Sequence, residues 1–200
     1  MGDFSPIFKK FAQNFSISSK KFRRHQGFCY NKNMYFVFSD LHGSVKAMDA
    51  IIEAIAEEKP DRILLLGDIL HGAYDGDARY CEEKLRPYAA AILAVSGNCD
   101  YSSDEFRLGF ALPETRTLNI YGRTAHLSHR PATGVFPEGC LVLNGHTHRK
   151  AVYEDNGVIF LNPGSCALPR DEEASYATID EQGIYLRRLS DRSLIKKKLF

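Results

Sequence analysis

The stretch "MYFVFSDLHGSVKAMDAIIEAIAEEKPDRILLLGD", residues 34–68, decides the fold class. Residues 34–39, apolar up to Ser39, read as a strand buried on both faces. Residues 44–58 then place Ala47, Met48, Ile51, Ile52, Ile55 and Ala56 at helical spacing, and Lys59-Pro60 ends that helix. "RILLLG" at 62–67 is a second buried strand. Strand, helix and strand in this order predict parallel pairing.

The alternation continues with a helix over about 78–90, carrying Cys81, Leu85 and Tyr88 on one side, and a third strand, "AILAVS", at 91–96. Beyond it the elements become short strands joined by turns. "TLNIYG" and "TAHLSH" flank Gly122, and "LVLNG" ends at Gly145. "AVYEDNGVIFLN" reads as a hairpin about Asn156-Gly157 and "SYATIDEQGIYLRRLS" as another about Gly183. Two packed sheets, the second partly antiparallel, with helices outside are expected. The basic C-terminal "IKKKLF" reads as a solvated end.

The 200 residues, 44% apolar and 26% charged, suit one globular domain. The formal net charge of +1 hides an asymmetry, since residues 1–33 hold seven Lys/Arg against one Asp while residues 34–200 are net acidic by five. We divide the chain into a basic N-terminal extension, 1–33, mobile or lying upstream of the native start, and a domain at 34–200. The body offers no basic face for nucleic acid. No apolar run approaches the roughly 18–20 residues that span a bilayer. Five cysteines without C-x-x-C spacing argue against a disulfide framework and for a reducing, cytoplasmic setting.

Polar residues with metal-ligand chemistry stand where the strands stop: Asp40 and His42 after the first, Asp68 after the second, Asn98 and Asp100 after the third, His129 after "TAHLS", and His146 and His148 after "LVLNG". The crevice beyond the carboxyl ends of strands in an α/β sheet lets such residues converge. Carboxylate, amide and imidazole donors together suit Mn, Fe, Zn or Ni better than Ca or Mg. In an extended segment residues i and i+2 point the same way, so Asp40 with His42, and His146 with His148, are each expected to reach one centre. The thiol of Cys99 opens a different chemistry, but no cysteine is followed by the arginine of a phosphate-cradling C-x5-R loop: the corresponding positions are Glu105 from Cys99, Pro87 from Cys81, His146 from Cys140 and Glu172 from Cys166.

"SDLHGS", "LLLGDIL", "VSGNCD", "LSH" and "NGHTH" resemble, in order, the motifs of the calcineurin-like metallophosphoesterases, and "FLNPGSCALPR" resembles a loop of their small YfcE-like phosphodiesterase branch. The likeness spans about residues 34–190. It implies an α/β, four-layer αββα sandwich of two mixed sheets flanked by helices, and a phosphodiesterase hydrolysing a small phosphate ester through a hydroxide activated by two metal ions. It further implies that Asp40, His42 and His148 hold one divalent ion and Asn98, His129 and His146 the other, with Asp68 bridging. Manganese is the first expectation, with nickel, iron, zinc or cobalt as alternatives. Asp68, Asp100 and Cys99 are the expected catalytic residues, Asp100 by orienting a neighbour such as His42 or the Asn98 loop.

Three departures bear on substrate. Cys99 stands where many relatives carry histidine near the leaving group, a feature of the YfcE-like branch; a thiol of ordinary pKa near 8.5 is the poorer proton donor, so good leaving groups are favoured. His129 is followed by Arg130 rather than by the Gly-His of relatives, which makes Arg130 a candidate phosphate contact. The loop after Asp68 is short, and its His71 is a candidate pocket residue, while Asp75 and Asp77 read as turn residues about Gly76. A phosphomonoesterase acting on a nucleotide or phosphoprotein, a nuclease, and a non-catalytic scaffold on the same fold are the competing readings, and a homo-oligomer is compatible with all of them.

Overall fold

The computed structural model describes residues 34–200; the extension expected at 1–33 lies outside the described residues. Strands β1 (Tyr35–Phe38), β2 (Arg62–Leu65) and β3 (Ile92–Ala94) pair in parallel, joined by helices α1 (Val45–Glu58) and α2 (Ala78–Leu85). Helix α1 starts at Ser44, whose hydroxyl accepts from Ala47 N–H, and stops at Lys59, which turns left-handed (φ 52°) before Pro60. Helix α2 is shorter than the sequence pattern implied, because Pro87 ends it and a single 3₁₀ turn, Arg86–Tyr88, follows. Asp75 and Asp77 do more than turn the chain. Asp75 accepts from Ser44 Oγ and Lys46 N–H at the start of α1, and Asp77 caps α2 by accepting from Tyr80 N–H.

A short helix α3 (Asp104–Leu108) leads to the antiparallel pair β4 (Thr115–Ile120) and β5 (Arg123–Ser128), then β6 (Leu141–Leu143), β7 (Lys150–Asp155) and β8 (Val158–Pro163). These form a five-stranded sheet in the order β4-β5-β6-β8-β7, with β5, β6 and β8 mutually parallel. Strands β9 (Ser175–Asp180) and β10 (Gly183–Arg188) return to the first sheet. The C-terminal stretch expected to be a solvated end is instead β11 (Leu194–Leu199), antiparallel to β10 on the edge of a six-stranded sheet ordered β11-β10-β9-β1-β2-β3. Its lysines are compatible with an edge strand because charge there blocks further pairing.

Both faces of the central strands are covered. Phe36, Phe38, Ile63 and Leu65 pack under α1 and α2 against Met48, Ile51, Cys81 and Leu85. Val37, Leu64, Leu66 and Val95 face the other sheet and meet Leu127, Leu141, Leu143 and Leu161. That double burial explains why these strands read as continuous apolar runs. Two mixed sheets packed face to face, with helices outside, form the expected sandwich. Among the described residues the helical cover lies over the first sheet. On the outer face of the second, Val142 and Val158 pack with Phe136 and Phe160. Among the described residues no helix is long and apolar enough to cross a membrane.

Candidate metal centre

Because β1, β2 and β3 run in parallel, the segments leaving them emerge at one edge, and the parallel strands β5 and β6 bring His129 and the His146–His148 turn to meet them. The backbone knits the segments together: Asp40 N–H donates to Gly67 O, His42 N–H to Asp68 O, and Gly145 N–H to His129 O. Asp40, His42, Asp68, His146 and His148 all adopt positive φ, between 52° and 65°. Left-handed backbone is unfavourable for residues with a Cβ and collects at functional sites held by their surroundings. Here it turns each side chain off its strand and into the crevice.

One ligand atom from each of Asp40, His42, Asp68 and His148 lies within 4.8 Å of the others, and all four residues are buried. Asp40 Oδ1 is 3.3 Å from His148 Nε2, buried, and without a hydrogen-bond partner. Asp68 Oδ2 lies 3.7 Å from His42 Nε2 and 3.4 Å from His129 Nε2, so it stands between two groups of donors. On the second side His129 Nε2 is 3.2 Å from both Asn98 Oδ1 and His146 Nδ1. The i, i+2 expectation is therefore corrected for the last pair: His146 and His148 go to opposite sides of Asp68, because the His148 ring is held by Leu168 O while the His146 ring is set against His129. Asp40 and His42 do face the same side.

Backbone carbonyls fix three imidazole rings. His42 Nδ1–H points at His71 O, His129 Nδ1–H at Leu66 O and His148 Nδ1–H at Leu168 O, at 2.6–2.8 Å. Each Nε2 then presents a lone pair to the crevice, and the facing Nε2 atoms of His42 and His148 are 3.3 Å apart. Two lone pairs at that separation repel unless a cation lies between them, and with the orphaned Asp40 oxygen they make a donor set suited to divalent metal.

The electrostatics are those of carboxylates and imidazoles packed closely. Burial raises the Asp40 carboxyl above its usual range. Burial acts the same way on Asp68, but the hydrogen bond from Cys99 N–H, together with the donor and charge that His129 offers when its ring is protonated, outweighs it and holds Asp68 well below. Burial lowers His146, helped by the charges of His129 and Arg130.

Asp100 clamps the loops rather than touching His42: its carboxylate accepts from the backbone N–H of Asp68, Ile69 and Gly97. Gly97 lies so close that a Cβ there would strike Asp68 Oδ1 and N, which explains the glycine before Asn98. Cys99 donates its backbone N–H to Asp68 Oδ1 at 2.8 Å, while burial, with the charge of Asp68, pushes its thiol up to about 11. The sulfur therefore stays protonated at neutral pH.

His71 is tied down on both sides: Nε2 lies 3.2 Å from Asp104 Oδ2, and its ring packs against Tyr101. Buried Asp104 had no signal in the sequence, since α3 is only 5 residues long. Ser165, in the "FLNPGSCALPR" loop, donates its hydroxyl to Asp40 O and so sits beside the site. Asn162 donates to Gly145 O and to Thr147 Oγ1, holding the turn that carries His146 and His148. His126, in the body of β5, is half-buried against Phe136. Arg130 lies on the wall of a cleft that also includes Asn98 and His129.

The family model described as the calcineurin-like phosphoesterase superfamily domain matches residues 34–183. The chain belongs to that superfamily. Within it, the chain is 31% identical over 173 residues to the phosphodiesterase YfcE of Escherichia coli, covering 78% of this chain and 92% of that protein. The solved structure of YfcE, a phosphoesterase from E. coli, superposes with a TM-score of 0.79 at 24% identity, covering 83% and 98% of the two chains. The Vacuolar Protein Sorting 29 structure from Cryptosporidium parvum superposes with a TM-score of 0.62 at 22% identity, covering 84% and 98%. This superfamily member is thus a hydrolase of phosphoester bonds with a buried Asp/His site for divalent metal.

Proposed function

We propose that the chain is a metal-dependent phosphodiesterase acting on a small phosphate ester, with Asp40, His42 and His148 holding one divalent cation, Asn98, His129 and His146 a second, and Asp68 between them. The observation that carries this is the convergence of four buried ligand atoms within 4.8 Å, extended through Asp68 to His129. Bound there, two divalent cations supply charge neutralisation for the phosphoryl oxygens and an acidified water. The protein's own contribution is orientation. Backbone carbonyls set three imidazole tautomers, Asp100 fixes the Asp68 and Gly97 backbones, and the Cys99 N–H aligns the Asp68 carboxylate. Cys99, protonated, stands by the leaving group as a weak proton donor, which favours esters of acidic alcohols.

The mixed oxygen and nitrogen donors fit a first-row divalent metal; manganese, the ion the family resemblance suggests first, is tested with nickel, iron, zinc and cobalt alongside. The described cysteines, Cys81, Cys99, Cys140 and Cys166, are free thiols, which supports a reducing compartment such as the cytoplasm. The test is hydrolysis of bis(p-nitrophenyl) phosphate by the full chain supplied with Mn²⁺, and its loss in Asp68→Asn. A clear preference for p-nitrophenyl phosphate would replace the diesterase reading with a monoesterase one. Inactivity on both esters with every metal would favour a scaffold.

A further inference from the structure

A cleft of about 490 Å³ runs beside the Asn98 and His129 half of the metal centre, a size suited to a small ligand. Its wall is built from Ser96–Asn98, Glu114–Thr115 and Ser128–Thr133, and it holds no Phe, Tyr or Trp. A ligand group seated here meets hydroxyls, amides and two opposite charges rather than a stacking surface.

The positive charge is Arg130. Its backbone is fixed, since Ser128 Oγ donates to its carbonyl at 2.7 Å and Pro131 restricts its own φ/ψ. Among the described residues no carboxylate lies within ion-pair distance of its guanidinium, although the chain pairs many of its other arginines. Glu114, exposed on the same lining, is likewise unpaired among the described residues. Arg130 directly follows His129 and shares the lining of this cleft with Asn98 and His129. An exposed, unpaired guanidinium on a rooted backbone is suited to bidentate contact with a carboxylate or phosphoryl group.

We propose that Arg130 is a specificity residue that binds a second anionic group, carboxylate or phosphoryl, carried on the alcohol that stays on phosphorus when the leaving group departs, while Glu114 accepts from hydroxyls of the same alcohol. The preferred substrate is then a polar phosphodiester with a further negative charge, not a simple alkyl or aryl one. This rests on the phosphodiesterase reading above.

The experiment compares p-nitrophenyl 2-carboxyethyl phosphate with p-nitrophenyl propyl phosphate, which share the leaving group, the scissile phosphate and the chain length. A third probe bearing a phosphonate in place of the carboxylate ranks the two anions. In the full chain with Mn²⁺, kcat/KM for the carboxyethyl ester exceeds that for the propyl ester by about 10-fold, the order expected of one charge-assisted contact. In Arg130→Gln the ratio falls to about one through KM. Arg130→Lys recovers part of it, and Glu114→Gln raises it by removing a like charge. Equal kcat/KM on both esters in the unaltered protein overturns this proposal and leaves the phosphodiesterase reading intact. So does a ratio unmoved by Arg130→Gln, or an equal fall in kcat on both esters, which would put Arg130 on the scissile phosphate. If neither ester is hydrolysed with any metal, both proposals fail.

Discussion

Removing the Asp100 carboxylate unlatches the loops after β2 and β3 at once. Its Oδ2 accepts from Asp68 N–H at 2.8 Å and Gly97 N–H at 2.7 Å, and its Oδ1 from Ile69 N–H at 2.7 Å. A hydrogen bond to a charged group contributes about 1.5–3 kcal/mol when fully buried. Asp100 is half-buried and its carboxyl is pushed up by that burial, so water recovers part of each bond and part of the charge's desolvation cost is relieved. We take about 1 kcal/mol per bond, giving about 3 kcal/mol for Asp100→Ala and about 1 kcal/mol for Asp100→Asn, where one amide nitrogen must face an N–H donor. Urea unfolding monitored by far-ultraviolet circular dichroism, with chelator present throughout, isolates this from metal loss. With a slope of about 2 kcal/mol/M, the Ala midpoint moves down by about 1.5 M. A separate metal titration should find affinity lower by about 10- to 100-fold in Asp100→Ala, as expected when a group that orients ligands is lost. A midpoint shift below about 0.5 M with unchanged metal affinity would refute the clamp.

Chelation itself should lower the thermal midpoint. At a free metal concentration of about 1,000 times Kd, binding stabilises by about 4 kcal/mol, or roughly 8–16 °C for a domain of this size, and calorimetry with and without chelator measures it. No shift on re-adding Mn, Ni, Co, Zn or Fe would mean that the buried Asp/His cluster does not hold metal. Cys99→Ala should leave metal content unchanged, because the contact to Asp68 comes from the Cys99 backbone N–H, which alanine keeps; elemental analysis showing lost metal would make the thiol a ligand. In Cys99→His, turnover of alkyl phosphodiesters should rise relative to p-nitrophenyl esters, and an unchanged ratio would remove this position from leaving-group chemistry.

Much of the site was legible because its chemistry is local. Gly-Asp, Gly-Asn and Gly-His each follow an apolar run, and a glycine is needed where the next backbone approaches: a Cβ at Gly145 would meet Ser39 Oγ and Asp40 Oδ2, as one at Gly97 would meet Asp68. The parallel order of β1, β2 and β3 followed from continuous apolar runs separated by helices. The Lys-rich C-terminal strand was missed since its charges mask pairing that β10 dictates. Asp104 was missed because a single buried Asp looks like any cap until the fold sets His71 against it.

The sequence by itself determined which donors are available, that they stand at strand ends, and which family the chain resembles, because strand periodicity and ligand chemistry are properties of neighbouring residues. Only the tertiary structure decided how the donors are shared. His148, whose ring is held by Leu168 O, goes to the opposite side of Asp68 from His146, and three carbonyls from distant segments choose which imidazole nitrogen faces the crevice. Those choices depend on contacts between residues 20 to 63 positions apart, and spacing along the chain carries no record of them.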